Sequence, residues 1–107
     1  MKLAIILSTS HSETNWNALR LANIALNKGD IVTVFLFGEG VEYEKSSPTQ
    51  FNIKEQVKKF LQSDNSKIIA CETCMNFRKQ KNSKECPVGG IADLYNLITN
   101  YDKVLTF

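Results

Sequence analysis

The sequence predicts a three-layer α/β domain: a four-stranded parallel sheet of order 2-1-3-4 with helices on both faces. Three observations lead there. The runs "KLAIILS", "DIVTVFLFG" and "KIIAC" have strand length and little polar alternation, as strands covered on both faces do. Segments with helical spacing of apolar residues separate them. The first strand, helix and strand together fill about 38 residues, the length of a right-handed βαβ crossover. The 107 residues suffice for one domain with one modest core. No repeat or boundary divides them, so the expectation is a single domain over 1–107.

Each element follows from local chemistry. After "KLAIILS" comes a polar loop, "TSHSETN", rich in residues that cap helices. The first helix is expected to start near Ser12 or Thr14. Ala18, Leu19, Ala22, Ala25 and Leu26 then recur at helical spacing, and Gly29 is placed to stop it. The second strand, "DIVTVFLFG", leads into a long polar connection, "EGVEYEKSSPTQFN", which holds Pro48. In "IKEQVKKFLQS", Ile53, Val57, Phe60 and Leu61 form one stripe, with lysines elsewhere on the helix. "DNS" is a turn and "KIIAC" the third strand. "ETCMNFRKQ" reads as a short helix and "KNSKECPVGG" as a loop. "IADLYNLITN" is a helix with Ile91, Leu94, Tyr95 and Ile98 on its stripe, and "YDKVLTF" is the fourth strand. The order 2-1-3-4 resembles a flavodoxin-like sheet without its last strand. It opens a crevice where the carboxyl ends of strands 1 and 3 part.

Composition limits the function. The apolar fraction of 43% suits a globular chain rather than a disordered one. A net charge of +2 is too small to argue for nucleic acid, and the run Arg78-Lys79-Gln80-Lys81 reads as a solvated surface. No segment is long enough to cross a bilayer, and "LAIIL" is too short for the core of a signal peptide. The cytoplasm is therefore the expected compartment, where thiols stay reduced. Three cysteines are also an odd number, so a monomer would leave at least one unpaired.

The predicted crevice gathers the reactive residues. His11 lies in the loop after strand 1; Cys71 and Cys74 lie at the end of strand 3, and Cys86 in the following loop. Three chemistries compete. Zinc needs four ligands, and Cys71, Cys74, Cys86 and His11 supply four on paper, but no second closely spaced pair follows the CxxC. A dithiol–disulfide switch fits CxxC at a helix start, but no antiparallel hairpin or proline of the thioredoxin arrangement is evident. A reactive thiolate at Cys71 gains from the helix dipole and from Arg78, Lys79, Lys81 and Lys84, and loses from the neighbouring Glu72. Buried free cysteines most often act as small apolar residues, a description that suits Cys74 better than Cys71. "STSHSETN" lacks the glycine of a phosphate cradle, and no aromatic pair offers to sandwich a flavin, so no cofactor is expected. Trp16, Phe35 and Phe37 are expected in the core. Glu39 and Glu42 follow strand 2 as solvated acids, with Glu39 at the rim of the site.

A strand ending in Cys, then CxxC and a helix with Arg78 seven positions after Cys71, resembles the DsrE-like family, which includes DsrE, DsrF and TusD. "ANIALNKGDIVTVFLFGEGVE" resembles its first helix, second strand and GxGV turn. "KIIACETC" resembles its cysteine segment, and "CPVGGIADLYNLITNYDKVLTF" its closing helix and strand. The resemblance covers nearly the whole chain. It implies a small parallel α/β fold, a homotrimer or homohexamer, and sulfurtransferase-like relay of persulfide sulfur between donor and acceptor proteins. Cys71 takes the position of the sulfur-accepting cysteine and Cys74 that of a resolving or auxiliary thiol, with His11, Arg78, Glu39 and Cys86 lining the site. Where relay members carry "RRG", this chain has "FRKQ", which bears on its choice of partners. The alternatives are a non-catalytic oligomeric binding or scaffold module of the same fold, and a CxxC redox or zinc module.

Overall fold

The computed structural model describes residues 1–45, 47–80 and 87–107. The first strand, β1 (Lys2–Leu7), is followed by α1 (Ser12–Asn27) and β2 (Ile31–Leu36). Two short 3-10 helices, Gly38–Glu42 and Thr49–Phe51, precede α2 (Ile53–Phe60) and β3 (Ser66–Cys71). Then come α3 (Glu72–Phe77), β4 (Val88–Gly89), α4 (Ile91–Asn100) and β5 (Lys103–Thr106).

The fold is α/β with a parallel sheet, but the sheet has five strands in the order 4-3-2-1-5, not four in the order 2-1-3-4. Every pairing is parallel. β1 lies between β2 and β5, and β2 lies between β1 and β3. The predicted crevice between strands 1 and 3 is therefore filled by β2. The helices explain the difference. Right-handed crossovers that step the same way put their helices on the same face. α1 and α2 do pack together: Asn23 Nδ2 of α1 donates to Gln56 O at 3.1 Å and to Gln56 Oε1 at 3.0 Å. The order 2-1-3-4 would place these two helices on opposite faces of the sheet and remove this contact. The extra strand is two residues in "CPVGG" that pair with Ala70 and Cys71, a length too short to show as a pattern.

Residues of alternate register face opposite layers. One layer holds Leu3, Ile5, Val32, Val34 and Ile68, all buried, beneath α1 and α2. The other holds Thr33, Phe35 and Ile69. There α4 crosses, and the Thr33 hydroxyl meets the Tyr101 hydroxyl at 2.6 Å. Coverage on that side is thin: Leu97 is the buried residue of α4. Gly89 lets α4 approach, since a Cβ there would fall 2.7 Å from both Ile69 Cγ2 and Asp93 Oδ2. Of the aromatic residues expected inside, Phe35 is fully buried, Trp16 is half-buried against Phe51, and Phe37 is 36% exposed.

Candidate functional site

The carboxyl ends of β2 and β3, side by side, build the site. β2 ends in Leu36, and the chain turns at once into the 3-10 helix Gly38–Glu42. Two glycines make that turn possible. Gly38 has φ +58°, a left-handed conformation that costs an L-residue about 1–2 kcal/mol. Gly40 lies so close to β1 that a Cβ would clash with Leu7 O. The turn aims the Gly38 N–H at the neighbouring β3–α3 junction, where it donates to Cys74 Sγ at 3.2 Å.

Cys71 ends β3 and serves as the N-cap residue of α3, with extended backbone at φ −66°, ψ 116°. Its side chain is 4% exposed, and burial pushes its thiol pKa up. The amides of Cys74 and Thr73 oppose that rise without closing a cap hydrogen bond, and a hydrogen bond to the Cys74 side chain adds to it. The expected activation of Cys71 by the helix start is thus outweighed by desolvation. Cys74, one turn further along, is half-buried. The accessible sulfur of the pair is Cys74, held by the Gly38 amide; the inner sulfur is Cys71.

A clamp joins α3 to the 3-10 helix. Arg78 Nε pairs with Glu42 Oε1 at 3.0 Å, and its Nη1 donates to Cys74 O at 3.2 Å. Gln80 Nε2 donates to Val41 O at 2.6 Å. Arg78 therefore positions the segment that carries Cys74, with its guanidinium directed to Glu42 and a carbonyl rather than to a sulfur. Glu42 also binds Lys45 at 2.7 Å. That bond, with Arg78 adding to it, holds the Glu42 carboxyl below the usual carboxylate range. A groove of about 460 Å3 behind the clamp is lined by Glu42, Lys45, Lys54 and Arg78 among others, and neither cysteine borders it.

The remaining predicted residues divide. Glu39, beside Gly38, accepts a hydrogen bond from Ser10 Oγ at 3.4 Å and so links the rim to the β1–α1 loop. His11 is exposed at the start of α1, with Nδ1 3.3 Å from Thr14 Oγ1. It does not face Cys71, because β2 intervenes and two strand spacings of about 4.8 Å separate β1 from β3. Cys86, Lys81 and Lys84 lie outside the described residues. Among the described residues, no three His, Cys, Asp or Glu side chains converge as metal ligands. Also among those residues, no helix is long and apolar enough to cross a membrane. Sequence reasoning missed Gly38, whose contribution is a backbone amide, and the clamp partners Glu42 and Gln80. The Gly-x-Gly directly after the second strand was the signal available for the first of these.

Comparison with known proteins agrees with this architecture. The family model described as DsrE/DsrF-like matches residues 1–107. The chain belongs to the DsrE/DsrF-like family. That family is associated with sulfur relay in general, and its members commonly work with partner proteins. Among solved structures, this DsrE/DsrF-like chain is similar to the ychN protein from E. coli. The TM-score is 0.82 at 24% identity, and the match covers 100% of both chains. At that identity the likeness shows the fold. No curated protein sequence matches the chain.

Proposed function

We propose that this protein is a cytoplasmic sulfur carrier that accepts persulfide sulfur on the Cys71–Cys74 pair and passes it to a partner protein. The observation that carries the reading is the Gly38 N–H to Cys74 Sγ hydrogen bond of 3.2 Å, at the carboxyl ends of parallel strands, where α/β folds bind their ligands. The amide fixes the position of that sulfur, and Cys74, half-buried beside the buried Cys71, is the thiol that a donor protein can reach. We therefore assign loading to Cys74, with Cys71 behind it. The position that family resemblance gives the accepting cysteine thus passes, on grounds of exposure, to its neighbour.

The carrier works as a homo-oligomer, a trimer or hexamer. Ile91, Tyr95 and Ile98 form an exposed apolar stripe on α4, at 65%, 61% and 54% exposure. The only charged side chain of α4, Asp93, is turned to the Gly90 N–H at 2.7 Å. Such a neutral stripe, beside the edge strand β5, fits another copy of the same chain.

Incubation with a small-molecule persulfide followed by peptide mass spectrometry tests the loading. One added sulfur atom is expected on Cys74 in Cys71→Ser, and none on that peptide in Cys74→Ser. The burial of Cys71 favours a rival, a non-catalytic binding module that keeps the fold. A Cys71→Ser chain that takes up no sulfur on Cys74 would be that module.

A further inference from the structure

We propose that Cys71 is a resolving thiol: once Cys74 carries a persulfide, Cys71 attacks the inner sulfur, releases the outer one as hydrosulfide, and closes a Cys71–Cys74 disulfide. The inference rests on the loading of Cys74 argued above and goes beyond it. It names a second fate for the bound sulfur, and a product.

Placement is the first argument. At 4% exposure, Cys71 cannot be reached by a docked donor or acceptor protein, yet it caps the short helix that carries Cys74 one turn along. Among the described residues Cys74 is the other cysteine, three positions along, and its sulfur is the one that Cys71 is placed to attack. N-cap and N3 positions, three residues apart, bring Cβ atoms to about 5–6 Å. A disulfide needs about 3.5–4.5 Å, so a small adjustment in the first turn of the six-residue α3 closes the gap. The Gly38 amide holds Cys74 Sγ from the neighbouring turn, which keeps the inner sulfur beside Cys71 while the outer sulfur extends toward solvent.

The balance closes without an added oxidant. Before the step, Cys71 is a thiol and Cys74 bears an S–S anion. The bond between Cys71 Sγ and Cys74 Sγ forms, and the bond between Cys74 Sγ and the outer sulfur breaks with its electron pair. The Cys71 proton leaves on the departing sulfur as HS⁻. The outer sulfur is reduced to the sulfide level, and the two cysteine sulfurs are oxidised to the disulfide. Burial keeps Cys71 protonated at rest, so its proton passes to the outer sulfur as the Cys71 thiolate attacks, which slows the step relative to an exposed thiol. Turnover then needs a dithiol reductant to reopen the disulfide. Relay to an acceptor protein must outrun the internal attack.

The test loads the full chain with glutathione persulfide, removes excess reagent, and follows hydrosulfide release and residue-level mass without reductant. Wild type is expected to release one hydrosulfide per loaded chain and to end with a Cys71–Cys74 disulfide. Cys71→Ser should hold a stable added sulfur on Cys74 with hydrosulfide release lost, and Cys86→Ser should behave as wild type. Cys71→Ala gives the same test should a buried serine hydroxyl disturb folding. A wild-type chain that keeps its added sulfur overturns the inference while leaving the carrier reading intact. So does release at the wild-type rate from Cys71→Ser and Cys71→Ala, or a disulfide that uses Cys86. Absence of added sulfur on Cys74 in every variant overturns both.

Discussion

At the scale of residues, two glycines and two cysteines decide the site, and they were not equally legible. "CETC" after an apolar strand announced a site from its spacing. Which sulfur faces out depends on the turn from β3 into α3 and on packing from β2, and neither is written in the spacing. The two glycines act through different physics, so their substitutions should differ. A Cβ on Gly38 meets nothing within 4 Å, so Gly38→Ala meets only the left-handed backbone and should cost about 1–2 kcal/mol. A Cβ on Gly40 would overlap the backbone of Leu7, so Gly40→Ala must displace the 3-10 helix. Its loss in urea unfolding should exceed that of Gly38→Ala, and equal losses would refute the close approach. Cys71 sets a pH dependence. Its pKa is raised by burial, so its contribution to stability is fully present below the ordinary thiol range and is lost as pH climbs through the higher folded value. The stability difference between wild type and Cys71→Ala should therefore shrink at strongly alkaline pH. A difference that grows there would contradict a buried neutral thiol.

At the scale of elements, apolar runs and helical spacing named nearly every long strand and helix, because burial imposes those periods directly. Strand order was not legible, because the same periods serve any order of parallel strands. The contact between α1 and α2 accompanies the run β1, β2, β3, in which both crossovers step the same way. Phe60 of α2 is fully buried, and Phe60→Ala should cost about 3–5 kcal/mol. A cost near that of a surface substitution would refute this packing. The clamp is a weaker contributor. The Arg78 and Glu42 side chains both reach solvent, so a double-mutant cycle should give only a small coupling. Arg78→Ala should instead be seen in the reactivity of Cys74, whose carbonyl the guanidinium holds. An unchanged alkylation rate would remove Arg78 from the site.

At the scale of the whole molecule, the fold sets one reactive end, where β2 and β3 finish, and an apolar α4 surface on one face. The first follows from the parallel sheet, in which every carboxyl end points the same way. The second was visible in the sequence only as a helix stripe, since spacing does not say which side of a stripe is covered. Tyr95→Asp places a charge on the exposed stripe and should shift sedimentation toward the monomer while leaving circular dichroism unchanged. A wild-type chain that sediments as a monomer at every concentration would contradict the oligomer. The central claim is that this architecture holds one sulfur out and one in. Residue-resolved alkylation of the native protein near neutral pH measures that arrangement directly. The account predicts that Cys74 is modified first, with Cys71 protected until the chain is unfolded. Modification of Cys71 ahead of Cys74 would contradict it.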